Sequence, residues 1–128
     1  MTWTVNANLS NALAHDASLK GALTGAKLRI YSAASALLTE HTVGTITGAD
    51  NSLTVPFGSA VVGEGVTAVD ATNATIVSST DALLLTTDSV GTTGADIPFP
   101  DNGHQGWNTD DVVAPGTATI PLTVSVAV

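Results

Sequence analysis

From Gly25 onward, short apolar segments alternate with turn-forming residues, and this pattern constrains the fold more than any other feature. In the first segment, Leu28 and Ile30 point to one side of a strand, whereas Lys27, Arg29 and Tyr31 point to the other. Short strands at such intervals are typical of a sandwich or barrel. The sequence therefore predicts a mainly β domain, a β-sandwich or jelly-roll-like fold. The predicted strands cover residues 26–32, 37–43, 52–57, 64–70, 73–79, 82–88 and 117–128.

The last of these segments, "TATIPLTVSVAV", has the clearest alternation of all. Its two predicted faces are Ile120, Leu122, Val124, Val126, Val128 and Thr119, Pro121, Thr123, Ser125, Ala127. Proline has no N–H to donate to a neighbouring strand, so Pro121 predicts a strand at a sheet edge.

The N-terminal region has a different pattern. Residues 1–7 read as an extended arm or short strand with Trp3 and Val5 on one side. Residues 8–23 carry leucines and alanines at helical spacing, and Gly25 fits just past a helix end. We therefore predict an N-terminal arm followed by one domain over residues 8–128 that begins with a helix over about 8–23.

Composition narrows the class of protein. The chain has 128 residues, which fits one domain, and it has no cysteine, so neither disulfides nor thiolate metal ligands contribute. Charged residues make up only 11% of the chain, less than half the usual share. Eleven acidic against three basic residues give a net charge of −8, which disfavours nucleic-acid binding. Small side chains in a β-rich chain are typical of a structural or surface protein.

Targeting signals are not apparent in the sequence. No run of about 20 apolar residues predicts a membrane-spanning helix, so no membrane partner is expected. The N-terminus lacks the basic and apolar regions of a signal peptide, which predicts synthesis in a cytoplasm.

The stretch "SVGTTGADI" (89–97) has the glycine spacing of a phosphate loop only superficially. It has no lysine after the second glycine, and Pro98 and Pro100 preclude a following helix. We predict a turn between strands in which Gly91 and Gly94 adopt positive φ and Asp96 bonds local backbone. The three histidines lack metal-ligand spacing, and no nucleophile elbow is present, so no enzyme and no cofactor are predicted.

A long loop over residues 98–116 is the best local candidate for a site, because loops of this length are usually functional or interfacial. Three interpretations compete: a calcium site, stacking of Trp107 on a sugar ring, and Trp107 as an anchor on its own core or on a neighbouring subunit. The loop's polar and aromatic residues are Asp101, Asn102, His104, Trp107, Asn108, Asp110 and Asp111. The predicted protein contacts are Trp3, Val5, His104, Trp107, Asp110 and Asp111.

Two motifs in this order resemble a known group of proteins. "KLRIYSA" (27–33) follows the predicted N-terminal helix, and "SVGTTGADI" (89–97) precedes the alternating terminal strand. The order resembles small structural proteins of tailed bacteriophages. Three departures are Ala33, where the group has glycine, the absence of an aromatic pair before the second motif, and a longer loop over residues 98–116.

The resemblance implies a virion protein, and we expect a capsid decoration (cement) protein that binds and stabilises the head shell. It implies the major capsid protein as partner, a homo-oligomer with a trimer favoured, and a location on the capsid exterior. The alternatives are a tail- or fibre-associated protein and a carbohydrate-binding module on the virion surface.

Overall fold

The computed structural model describes residues 3–9, 18–49, 52–92, 94–99 and 103–121. The fold is mainly β with antiparallel sheets, consistent with a β-sandwich, as predicted. The strands are β1 Thr4–Val5, β2 Lys27–Tyr31, β3 Leu37–Thr42, β4 Thr47–Ala49, β5 Ser52–Val55, β6 Ala60–Val61, β7 Asn73–Val77, β8 Leu83–Thr87, β9 Val90–Gly91, β10 Ile97–Pro98, β11 Val112–Val113 and β12 Ala118–Pro121. One helix with both ends described, α1, covers Leu19–Leu23.

The larger sheet has five antiparallel strands in the order β1-β8-β7-β2-β3. Leu28 and Ile30 of β2 are fully buried, as their alternation predicts, and they pair with Ile76 and Ala74 of β7. Neighbouring residues on the opposite face are only partly covered. One face of this sheet therefore forms the core, and the other, here called the outer face, carries the polar side chains.

A second sheet, in the order β12-β5-β4, covers the core. Its buried residues Val55, Ala118 and Ile120 belong to the same hydrophobic cluster as Leu28 and Ile30 of the larger sheet. β12 lies at an end of this strand order, which confirms the edge position that Pro121 predicts. Residues 122–128 of the predicted terminal strand lie outside the described residues.

Residues 42–49 and 52–58 run antiparallel and link the two sheets. Val43 and Phe57 form a bridge between β3 and the segment after β5. The Gly44 N–H donates to the Pro56 carbonyl at 2.8 Å, and the Gly58 N–H donates to the Thr42 carbonyl at 3.0 Å. Further along the same two segments, β4 pairs with β5 in the smaller sheet.

A buried histidine stabilises this link. The His41 side chain is fully buried; its Nδ1 lies 2.7 Å from the Gly58 carbonyl oxygen and its Nε2 lies 2.8 Å from Thr39 Oγ1. Desolvation by burial lowers the pKa of His41, and the bond to the Gly58 carbonyl partly opposes this shift.

The prediction of one continuous helix over residues 8–23 is wrong. Residues 7–9 are helical, but Ser18 is extended and caps a separate helix, α1. The Ser18 hydroxyl accepts a 2.9 Å bond from the Gly21 N–H, which satisfies one of the free donors of a first turn. Residues 10–17 of the predicted helix lie outside the described residues.

The predicted N-terminal arm is part of the domain. β1 pairs with β8, so that Thr4 lies opposite Thr86 and Val5 opposite Leu85. Of the two predicted forms of residues 1–7, the structure has the short strand and not the extended arm. From its place at the edge of the sheet, β1 brings Val5 into contact with the core.

The predicted strand over 64–70 is wrong. Residues 64 and 65 form a turn with Gly65 at φ +79°, and only Val69 makes a β-bridge. Ala68 has φ +50°, which a regular strand does not allow. Alternating valines here lie on an irregular segment that pairs with a distant part of the chain.

Candidate interaction surface

Residues 104–113 of the segment predicted as a long loop over 98–116 form one half of an irregular two-stranded ribbon. Residues 60–71 run antiparallel to residues 104–113, and we call this pair of segments the ribbon. At one end Val61 of β6 lies opposite Val112 of β11, and at the other Val69 and Trp107 exchange two backbone bonds of 3.0 and 2.7 Å. Between them, the Val66 carbonyl accepts from the Thr109 N–H at 2.9 Å. The loop interpretation failed because these partners are distant in sequence and two-residue strands carry no detectable pattern.

Trp107 attaches the ribbon to the core. Its side chain is only 2% exposed, and its ring packs edge-on against Phe99 with centroids 5.4 Å apart. The indole Nε1 donates a 2.7 Å bond to the Gly103 carbonyl. Of the interpretations that involve Trp107, the structure supports the anchor on its own core. Both a sugar-stacking platform and a surface contact need an exposed ring, so the structure contradicts these two predictions for this residue.

The other aromatic contact candidate precedes β1, which lies at the edge of the larger sheet. Trp3 and Val5 are partly buried and pack against the hydrophobic core. The Trp3 Nε1 is buried without a hydrogen-bond partner among the described residues. The structure thus separates these two residues from the ribbon, so the six predicted contact residues do not form one surface.

The polar candidates lie towards opposite ends of the ribbon, and some of their atoms have structural roles. The His104 carbonyl accepts from the Ala71 N–H at 2.7 Å, and Asp111 Oδ2 accepts from the Asn108 N–H at 2.9 Å. Asp110 has φ +70°, and its N–H donates to the Val62 carbonyl. His104 Nδ1 is buried and unpaired among the described residues. The ribbon therefore places Asp110 and Asp111 in a tight turn close to the Val61–Val112 pair.

Two valines that sequence reasoning missed give the ribbon an apolar surface. Val61 is 55% exposed and its cross-strand partner Val112 is 71% exposed. In the described part of the chain, the only other large hydrophobic residue exposed to this degree is Leu37, at 50%. No signal in the sequence marks Val61 and Val112, because each is one of many valines and only the register of the ribbon brings them together.

Charge on the ribbon is uniformly negative. Its acidic residues are Glu64, Asp70, Asp110 and Asp111, all exposed. Asp70 and Asp111 each accept a backbone N–H, whereas Glu64 and Asp110 have no side-chain partner among the described residues. The ribbon contains no lysine and no arginine. It is therefore an acidic surface with an apolar pair at one end.

Two of the chain's three basic residues are held in ion pairs on the outer face of the larger sheet. Asp81 Oδ1 accepts from Lys27 Nζ at 2.9 Å and from Arg29 Nη2 at 2.8 Å, and Arg29 Nε donates to Glu40 Oε2 at 2.7 Å. The bond to Glu40 raises the pKa of Arg29, and the bond to Lys27 lowers the pKa of Asp81. These cations are paired locally and do not neutralise the ribbon.

The stretch over 89–97 is a compact turn, as predicted, but its details differ. β9 and β10 pair in parallel, with Val90 opposite Ile97, and Gly94 has φ +97°. Gly91 lies in β9 and does not have the predicted positive φ. The Asp96 carboxylate is buried and accepts from Thr87 Oγ1 at 2.5 Å, so its partner is a side chain rather than the predicted local backbone.

Chemically reactive groups are dispersed. In the described ranges, no three His, Cys, Asp or Glu side chains are arranged to hold a metal ion. Two open depressions are present: one of about 390 Å³ that includes Thr75, Thr86 and Asp88, and one of about 420 Å³ between Ala33 and Asp70. Within the same ranges, no helix has the length and apolar character needed to cross a bilayer. The ribbon, with its exposed valine pair and four acidic residues, has the character of a contact surface.

Comparisons with known proteins return no relative of this chain: no family model, no curated protein and no solved structure matches it.

Proposed function

We propose that this protein is a structural component of a tailed-phage virion that decorates and stabilises the head shell. The observation that carries the proposal is the order of segments that the chain shares with the group it resembles. A helical N-terminal region precedes "KLRIYSA", and "SVGTTGADI" precedes the closing strand.

The physical character of the surface supports this role. Charged residues are few, the side chains are small, and two of the three cations are paired within the domain. Few charged side chains therefore have to lose their water where such a surface meets a neighbour on a shell. The exposed valines of the ribbon supply apolar contact area that a domain acting alone does not need.

Assembly as a trimer is the oligomeric form that the resemblance implies. Association favours the folded form by mass action, which benefits a domain built from many two-residue strands. Sedimentation equilibrium of the purified chain measures this directly: a single species of three times 12.7 kDa supports the trimer, and a monomer at all concentrations contradicts it.

Copy number and heat stability test the function. A decoration protein gives a strong band near 12.7 kDa on a stained gel of purified virions, whereas a faint band favours the tail-associated role. Particles that lack the protein are expected to release DNA at a lower temperature than complete particles. An unchanged release temperature would contradict the stabilising role.

A further inference from the structure

The ribbon has a surface that its own chain leaves uncovered. Val61 and Val112 are cross-strand partners on β6 and β11, and more than half of each side chain is exposed. Their neighbours Val62 and Val113 turn towards the core: Val62 is only 1% exposed, and Val113 is partly buried. The valine pair therefore faces away from the domain because of the alternation of the two strands, and not because the ribbon is detached.

Two carboxylates without a side-chain partner among the described residues lie beyond one end of this valine pair. Glu64 follows Val61 by three residues and Asp110 precedes Val112 by two, so the antiparallel register puts both on the same side of the pair along the ribbon. The backbone places Asp110 close by, because its N–H donates to the Val62 carbonyl and the Val62 N–H donates to the Asp111 carbonyl. An apolar patch bordered by charged residues is the usual composition of a protein contact.

The sign of the charge selects the partner. The four acidic residues of the ribbon have no lysine or arginine beside them, so a second copy of this chain seated on the same surface would bring like charges together. A partner with basic side chains around an apolar centre would be attracted by the same field.

We propose that the Val61–Val112 pair with Glu64 and Asp110 is a docking surface for a basic, apolar-centred segment of another protein. The two valines supply the apolar contact, and the two carboxylates pair with lysine or arginine side chains of the partner. The assignment of this segment to the head shell rests on the proposed function; the docking surface itself does not.

Binding of two synthetic peptides tests the surface without any assumption about the virion. One peptide alternates Lys and Val over about eight residues, and the other alternates Lys and Ser with the same charge. We expect the Lys-Val peptide to bind about tenfold more tightly, since burying apolar surface adds to the same electrostatic attraction. The double variant V61T/V112T removes the apolar groups and keeps β-branched side chains, so it is expected to abolish this preference.

Matched variants separate the two contributions. The E64Q/D110N variant is expected to weaken both peptides and to reduce the salt dependence of binding. Leu37→Thr and Asp88→Asn, which change an exposed apolar and an exposed acidic residue on β3 and after β8, are expected to bind like the wild type. Equal affinity for the two peptides, or a preference that survives V61T/V112T, overturns the proposal; circular dichroism confirms that each variant is folded.

Readdition to particles that lack the protein distinguishes this proposal from the proposed function. If the wild type binds these particles and V61T/V112T binds about tenfold less, the docking segment belongs to the shell. If both bind equally, the ribbon is not the surface that meets the shell. If neither binds while the peptide preference holds, the shell function is wrong and the docking surface stands.

Discussion

At the scale of single residues, the side chains with the clearest energetic roles are buried polar groups. His41 joins β3 to the segment that follows β5, and Asp96 is held by the Thr87 hydroxyl inside the turn over 89–97. Each sits where an apolar residue is the common choice, and each has a named hydrogen-bond partner, although Asp96 Oδ1 has none among the described residues. Loss of the partner leaves a desolvated polar atom, which costs more than the bond itself contributes.

His41 makes the stability of the domain depend on pH. Because burial lowers its pKa below the ordinary 6.5, the folded chain binds fewer protons than the unfolded chain at mildly acidic pH. This stability is fully present above about pH 6.5 and is lost as the pH falls through the folded-state pKa. Urea unfolding between about pH 7.5 and pH 5 should show a falling midpoint, and the fall should be smaller in His41→Gln.

A wild-type midpoint that does not move, or a fall of equal size in His41→Gln, contradicts the role given to His41.

Thr87 stabilises the turn over 89–97 through one hydroxyl. It donates to Asp96 Oδ2 and accepts from the Ser89 N–H at 3.0 Å. Thr87→Val keeps the shape and removes both bonds, which should lower the free energy of unfolding by about 1–3 kcal/mol. Thr86→Val is the matched control, because Thr86 faces the outer side of the same strand. Equal losses in the two variants in urea unfolding would contradict this account.

At the scale of elements, the ribbon combines a backbone ladder with buried side chains that attach it to the core. Its hydrogen bonds join residues about 40 positions apart, as between Val66 and Thr109. Trp107 packs on Phe99 at one end of the ribbon, and Val62 is buried at the other end, beside the docking surface.

Two substitutions of Trp107 should therefore destabilise the domain to different degrees. Trp107→Phe keeps an aromatic ring against Phe99 and loses the bond to the Gly103 carbonyl, which should cost about 1 kcal/mol. Trp107→Ala removes the ring and should cost about 3–5 kcal/mol. Urea unfolding measures both values, and an alanine variant as stable as the phenylalanine variant would show that the ring is not an anchor.

The elements also show where sequence reasoning succeeds. β2, β7 and β8 were predictable, because one buried and one exposed face impose alternation or a continuous apolar run. The ribbon was not, because backbone bonds between residues 60–71 and 104–113 leave no trace in side-chain pattern. The break at Ser18 could have been found, since serine ahead of a leucine is a common helix start.

At the scale of the whole molecule, charge is the dominant property. The net charge of −8 is spread over few residues, and the paired cations on the outer face offset only two carboxylates locally. The remaining exposed acids of the described ranges lie mainly on the ribbon. Composition predicted the sign and size of this charge, but only the fold shows that four of the exposed acids of the described ranges lie together on the ribbon.

Salt should consequently stabilise the isolated chain. Raising the ionic strength from about 10 to about 200 mM screens repulsion among the carboxylates, whereas the exposed ion pairs lose less than about 1 kcal/mol. The thermal midpoint is expected to rise over this range and to rise less in E64Q/D110N. A falling midpoint would mean that the ion pairs of Arg29 outweigh the repulsion.

The pairing of β1 with β8 has a consequence for how the chain reaches this fold. Thr4 pairs with Thr86, and the ribbon also joins segments that are distant in sequence. Long loops must therefore close before most of the stabilising contacts form. Domains of this topology fold in milliseconds to seconds, far more slowly than helical bundles. During synthesis the edge of β7 stays unpaired until β8 leaves the ribosome. Until then β1, which is made first, has no strand to pair with.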